Sequence, residues 1–207
     1  MKLWQGWWLW NDKNSTIYKF EGERKMKQLI IITLFASIIF ADTIIVDQSG
    51  NGDYYTIQEA YNASSTGDTI FLNAGVYIEN DISVTHEVHF VGIEKNSVLW
   101  THESNELFGN YSDGTSIREI TFSGNYIFCR DDLYVYDCIF NNTYIRNTQS
   151  SYAPELNIRN SVFMGCSYAI KDDYGSQLDA NIYNTIFRDI SQQVFYNLGS
   201  LTVMNNI

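Results

Sequence analysis

A single proline in 207 residues excludes collagen-like and proline-rich material, and three cysteines, an odd number, exclude a disulfide scaffold closed within one chain. Cys129, Cys138 and Cys166 also lack the paired C-x-x-C spacing of a zinc site, so they read as small buried hydrophobes. Basic residues are scarce. Thirteen Lys and Arg stand against 24 Asp and Glu, and the resulting net charge of -11 repels phosphate backbones and excludes a nucleic-acid partner. Cations and neutral polymers suit such a chain better. The three histidines all fall early, and His86 and His89, three apart, cannot share one side of a strand, which argues against a histidine metal site. What the chain has in quantity is apolar surface: 45% hydrophobic and only 18% charged residues exclude a disordered chain, and 207 residues suffice for one domain with a substantial core.

The longest apolar run, Leu29–Ala41, spans thirteen residues, short of the roughly 20 that cross a bilayer. It follows Arg24, Lys25 and Lys27 and ends on a small residue before Asp42, the order of a secretory signal peptide cleaved after Ala41, although Ile39 is large for the position three back from the cut. An uncleaved anchor and a buried core segment are the alternatives. Met26 begins a more conventional signal than Met1, so residues 1–25, with Trp4, Trp7, Trp8 and Trp10, read as an extra leader, 26–41 as the signal and 42–207 as the folded domain. Removing residues 1–41 leaves 7 basic and 21 acidic residues, a net charge of -14, with no membrane span in the mature chain. The expected location is extracytoplasmic, secreted or at the cell surface.

A repeat organises the second half. Leu133–Asn142 (LYVYDCIFNN), Leu156–Gly165 (LNIRNSVFMG), Ala180–Asp189 (ANIYNTIFRD) and Leu201–Ile207 (LTVMNNI) share one pattern, with a fainter copy at Ile117–Phe122. Spacings of 18, 23 and 24 residues between Phe122, Phe140, Phe163 and Phe187 match one coil of a solenoid with loops of varying length. Period-two alternation predicts strands, and the single Asp137, Asn160, Asn184 or Asn205 between two short strands supplies a bend, since Asn and Asp tolerate left-handed backbone angles. Two short strands and a bend per coil describe an all-β solenoid, a parallel β-helix; a β-sandwich remains the alternative. Stacked coils would put Phe140, Phe163 and Phe187 in an inward aromatic column beside Cys138, Ser161 and Thr185.

Residues Thr43–Asn80 read as a strand, a turn at Gly50 and Gly52, a short helix and a second strand at Thr69–Leu72. Thr56, three residues before Glu59, forms a capping-box signal, and Ile57, Ala60 and Tyr61 give the helix an apolar face with which to plug the first coil. The strings V-D-x-S-G-x-G-D-Y-x-T-I-Q-E-A and G-D-T-I-F-L-x-A-G-V-Y-x-E-N resemble the amino-terminal segment of pectinesterases and other pectin lyase-like proteins. That resemblance covers 43–80 well and implies a right-handed parallel β-helix with a short amino-terminal capping helix. It implies an enzyme less strongly. The nearest counterpart of the pectinesterase Asp-Phe-Ile-Phe-Gly segment is Asp137-Cys138-Ile139-Phe140-Asn141, which the repeat already explains, and Trp100 lacks the preceding Arg-Pro. Asp172-Asp173 is an adjacent acidic pair of the kind polygalacturonases use. If the chain is an enzyme, it is a polysaccharide lyase, glycoside hydrolase or carbohydrate esterase.

Two lines of residues are candidate sites. The outward position before each bend holds Arg118, Tyr136, Arg159 and Tyr183, and such a strip suits a polysaccharide, because rings stack on sugar faces and Arg pairs with uronate carboxylates; cation–π packing within the sheet is the alternative. Asp132, Glu155 and Asp179 precede three successive strands, where carboxylates about 5 Å apart repel unless a cation such as Ca²⁺ lies among them or the loops displace them sideways. The outward column Thr121, Ile139, Val162 and Ile186 is apolar and is either covered by loops or a surface for lateral protein contacts. The sequons at Asn14, Asn62, Asn110 and Asn141 matter only in a eukaryotic secretory pathway. The last repeat stops one residue short of its Phe position, so the domain reads as truncated at its carboxyl end or as abutting another chain end to end. Two functions fit: an exported protein that binds or processes an extracellular polysaccharide, pectin-like or otherwise acidic, or a non-enzymatic surface protein or adhesin.

Overall fold

The computed structural model describes residues 41–148, 153–175 and 177–207, apart from the side chains of 103–105. The leader at 1–25 and all of the signal segment except Ala41 lie outside these residues.

Two sheets, every pairing parallel, wind into a right-handed parallel β-helix with three faces. Face one stacks eight strands in chain order: Thr43–Val46, Asp68–Leu72, Val88–Gly92, Thr115–Arg118, Leu133–Tyr136, Glu155–Arg159, Asp179–Tyr183 and Ser200–Met204. Face two stacks Gly75–Ile78, Ile139–Asn141, Val162–Met164 and Ile186–Arg188 with the first halves of two long strands, Val98–Asn110 and Thr121–Cys129. Face three is built from Ile82–Val84, the second halves of those long strands, Tyr144–Asn147, Tyr168–Asp172 and Gln193–Tyr196.

Between the first and the last, the coils therefore place strand on three faces, not the two that the repeat predicts. The third lies in the stretch of varying length between repeats, where no shared motif marks it.

The bends behave as the residue types require. Asp137, Asn160, Asn184 and Asn205 have φ of 56°, 53°, 50° and 55°, and Glu119 joins them at 54°. At three of these bends the side chain that follows turns inward and donates to the carbonyl two residues back: Cys138 Sγ to Tyr136 O at 3.2 Å, Ser161 Oγ to Arg159 O at 2.9 Å, Thr185 Oγ1 to Tyr183 O at 3.1 Å. These donors are second partners for carbonyls that already accept from the bend residue of the preceding coil, Tyr136 O from Glu119 N at 3.2 Å, Arg159 O from Asp137 N at 3.0 Å and Tyr183 O from Asn160 N at 3.1 Å. A second left-handed line, Asn142, Gly165 and Asp189, marks the corner between faces two and three.

Inside, Phe122, Phe140, Phe163 and Phe187 stack with centroids 5.3, 4.3 and 5.6 Å apart, and Trp100 extends the column at 5.7 Å from Phe122. All three cysteines are buried and free. The capping helix spans Ile57–Ala63 and buries Ile57, Ala60 and Tyr61 against the first coils. Thr56 Oγ1 accepts from Glu59 N at 3.2 Å as the capping box predicts, but the carboxylate that satisfies the first amides is that of Glu79, which takes Ile57 N at 2.8 Å and Gln58 N at 2.9 Å. The backbone carbonyl of Glu79 also accepts from Trp100 Nε1 at 3.0 Å, which ties the cap to the aromatic core.

Candidate functional site

The alternation of face three places two columns on its outer surface. Tyr126 and Tyr144 are in register, Tyr168 follows in the next coil, and their rings lie 5.7 and 6.4 Å apart; Tyr196 continues the line 5.5 Å beyond Tyr168. Beside them Phe128, Arg146, Lys171 and Tyr196 occupy one register line. The cations lie over the rings, Arg146 at 5.2 Å from the Tyr126 centroid and Lys171 at 5.3 Å from that of Tyr168. Arg130 extends the pattern at the rim, 4.8 Å above Tyr111. Aromatic faces with interleaved cations offer both an apolar platform and charge recognition.

Asp173 sits at the polar centre of this face, paired with Arg146 and, at 2.7 Å, with Lys171 Nζ. Burial pushes its carboxyl up, yet the hydrogen bonds from Lys171 and Arg146 and their charges outweigh that, holding it below the usual carboxylate range. Two cations against one carboxylate leave a local surplus of positive charge. Asp172 does something different. It is fully buried and accepts from the backbone N–H groups of Tyr174 and Gln177 at 2.9 Å and of Leu178 at 3.0 Å. The adjacent acids are thus divided between a loop anchor and a surface group, and do not form a pair.

At the corner with face two, a groove of about 440 Å³ is lined by Thr101, Ser123, Asn125, Asn142, Ser167 and the Tyr144 ring. Gly124 forms its floor, where a Cβ would lie 2.2 Å from the carbonyl oxygen of His102, so the neighbouring coil approaches as closely as it does only because that side chain is missing. Hydroxyls and amides along the groove beside a tyrosine ring make a surface suited to a polyhydroxylated ligand.

The strip predicted from the repeat is also formed. Arg118, Tyr136, Arg159 and Tyr183 follow one register line on face one, with Arg118 over Tyr136 at 5.1 Å and Arg159 over Tyr183 at 5.2 Å. The predicted acidic line is in register too, and its members have local partners: Asp132 Oδ1 accepts from Glu155 N at 2.8 Å, Asp179 Oδ1 from Ser200 N at 2.8 Å, and Glu155 Oε1 from Asn181 Nδ2 at 2.7 Å. The carboxylates that converge among the described residues are Asp113, Asp131 and Asp132. Asp131 is pushed up to about 6 by burial and by its hydrogen bond and charge interaction with Asp113.

The sequence reading missed face three. The signal was present, since a tyrosine follows the core phenylalanine by four or five residues in three successive coils (Phe122 and Tyr126, Phe140 and Tyr144, Phe163 and Tyr168).

No protein-family profile matches the chain. A probable pectinesterase of Arabidopsis thaliana is 35% identical over 98 residues, covering 41% of this chain and 29% of that protein's length. Among solved structures, a pectin methylesterase from carrot is similar at 17% identity with a TM-score of 0.46, over 75% of this chain and 66% of the other. One from Aspergillus niger is similar at 14% identity with a TM-score of 0.40, over 81% and 84%. The described residues form a parallel β-helix, and the chain is similar over part of its length to a probable pectinesterase, of which it spans less than a third.

Proposed function

We propose that this chain is an exported β-helix protein that binds an acidic, pectin-like polysaccharide along face three and takes part in its processing. The observation that carries the reading is the line of tyrosine rings interleaved with Arg146 and Lys171 beside a groove of neutral hydrogen-bonding groups. Rings receive sugar faces, the groove receives hydroxyls, and the surplus positive charge receives a uronate carboxylate. Three of the seven basic residues in 42–207, namely Arg130, Arg146 and Lys171, are gathered on this face or its rim. The overall charge opposes a polyanion at long range, but screening within about 8 Å at physiological salt leaves the local cations in control. Similarity to a pectinesterase supports the same substrate class. The segment 26–41 supports export, which amino-terminal sequencing of the secreted product tests by a start at Asp42.

Face one carries the same kind of ring-and-cation line, with Arg118 and Arg159 over tyrosines, but the groove of about 440 Å³ borders face three, which makes face one the weaker platform. The test is affinity electrophoresis of the full chain in gels containing polygalacturonate, highly methyl-esterified pectin or neutral dextran, with methanol release from pectin followed in parallel. Retardation by polygalacturonate exceeding that by dextran is expected; equal mobility in all three gels would sink the binding reading. Absence of methanol release would remove de-esterification from the account.

A further inference from the structure

Asp68 begins the second strand of face one and is only 5% exposed, yet none of the ion pairs among the described residues reaches it. Backbone N–H groups hold both of its oxygens instead: Oδ2 accepts from Ser65 N at 2.7 Å and Oδ1 from Asp42 N at 2.9 Å. The first bond closes the turn that leaves the capping helix. The second reaches 26 residues back, to the residue just ahead of the first strand, Thr43–Val46. Asp42 is fixed from its other side as well, since its carbonyl oxygen accepts from Thr69 N at 2.8 Å. Its nitrogen is thereby kept against a carboxylate.

The surroundings carry charge of one sign. A cleft of about 360 Å³ at this end of the first coil is lined by Asp42, Asp53 and Asp68 among other residues and, among the described residues, by no Lys, Arg or His. A carboxylate taken out of water is costly unless a positive charge meets it, and an amide N–H brings only a partial one. The one full charge that the chain can place at that atom is an α-ammonium on Asp42.

We propose that Asp68 is the receptor for a new amino terminus, made when the leader is removed after Ala41; the proposal rests on the export reading above. Hydrolysis of the Ala41–Asp42 amide by a leader peptidase adds water across the C–N bond, so that Ala41 leaves as a carboxylate and the Asp42 nitrogen becomes an ammonium. The cut precedes the first strand and spares its pairing with the second, so the nitrogen stays where the amide now is. Its bond to Asp68 then becomes charge-assisted, and the processed chain gains a clamp between its first residue and the turn at 65–68.

The test uses the product that a secreting host releases from the full chain. Amino-terminal sequencing should read Asp42 first; any other start would contradict the cut and the receptor together, since no ammonium would then lie at Asp68. With that start established, the α-amine is labelled with trace acetic anhydride over a pH series. In the folded product it should titrate above the ordinary α-amino value of about 7.7–8.0, and at pH of about 7.5 it should react about tenfold more slowly than in the urea-unfolded product. The carboxylates of Asp53 and of Asp42 itself line the same cleft and push the same way, so single variants separate them. Asp68→Asn should restore most of the reactivity and Asp53→Asn little of it. A start at Asp42 with an amine that titrates at its ordinary value in the folded wild type would leave the cut standing and overturn the receptor, whatever the variants do.

Discussion

Asp172 and Asp173, adjacent in the chain, serve opposite sides of the same coil: one is sealed in the interior against three backbone N–H groups, and the other lies on face three between Arg146 and Lys171. Strand alternation and the turn that follows separate them. The same division predicts two different mutational outcomes.

Asp172→Ala should destabilise the protein by about 3 kcal/mol, since each buried N–H left unpaired costs roughly 1–3 kcal/mol. Asp173→Asn should cost about 1 kcal/mol or less, because its ion pairs are partly exposed. Urea denaturation of both variants checks the ranking; equal losses would contradict it. The depressed Asp173 carboxyl adds stability above its unfolded value, near 3.9, and that contribution is lost as pH falls through the still lower folded value. The difference between wild type and Asp173→Asn should therefore vanish at strongly acidic pH.

Phe140, stacked between Phe122 and Phe163 and fully buried, carries the middle of the core column. Phe140→Ala should cost about 3–5 kcal/mol. Ile186→Ala, at an outward and exposed position, should cost less than about 1 kcal/mol. Chemical denaturation reads both, and a Phe140→Ala loss below that of Ile186→Ala would contradict the inward assignment of the column.

Asn160 holds φ at 53° on the bend between faces one and two. Asn160→Ala should cost about 1 kcal/mol through left-handed strain, and Asn160→Gly should stay within about 0.5 kcal/mol of wild type. Thermal midpoints test the order Asn or Gly above Ala; an Ala variant as stable as Gly would show that backbone strain does not govern this ladder.

Burial, with the nearby charges of Asp47 and Glu79, pushes the Tyr77 phenol up to about 12. Its hydroxyl donates to the carbonyl oxygens of Asn73 at 2.7 Å and Val46 at 3.1 Å. The unfolded chain releases this proton near pH 10 and the folded one later, so stability falls as pH rises from about 10 to about 12. Tyr77→Phe should lose part of that alkaline slope, read from denaturation midpoints at successive pH values; an unchanged slope would contradict the assignment.

The parts of the fold that were legible in the sequence are those where one residue type has one physical use. A lone Asn or Asp between alternating stretches forces the left-handed bend, and an aromatic three positions beyond must face inward, so faces one and two and the core column follow from the repeat. Thr56 announced the helix start, whereas the partner Glu79 lies 22 residues from Ile57 and could not be read locally. The third strand of each coil was hidden because the chain around it varies in length, and with it went Tyr126, Tyr144, Tyr168, Arg146 and Lys171. The acidic line was visible, but which carboxylates converge depends on the turn at 111–114, which the repeat does not specify.

The central claim is that face three, and not face one, meets the polysaccharide. Polygalacturonate affinity of the full chain should fall about tenfold or more in Tyr168→Ala and Lys171→Ala, as loss of a stacking ring or a charge-assisted contact implies, and stay within about twofold in Tyr183→Ala and Arg159→Ala. Loss confined to Tyr183→Ala and Arg159→Ala would move the site to face one and contradict the account.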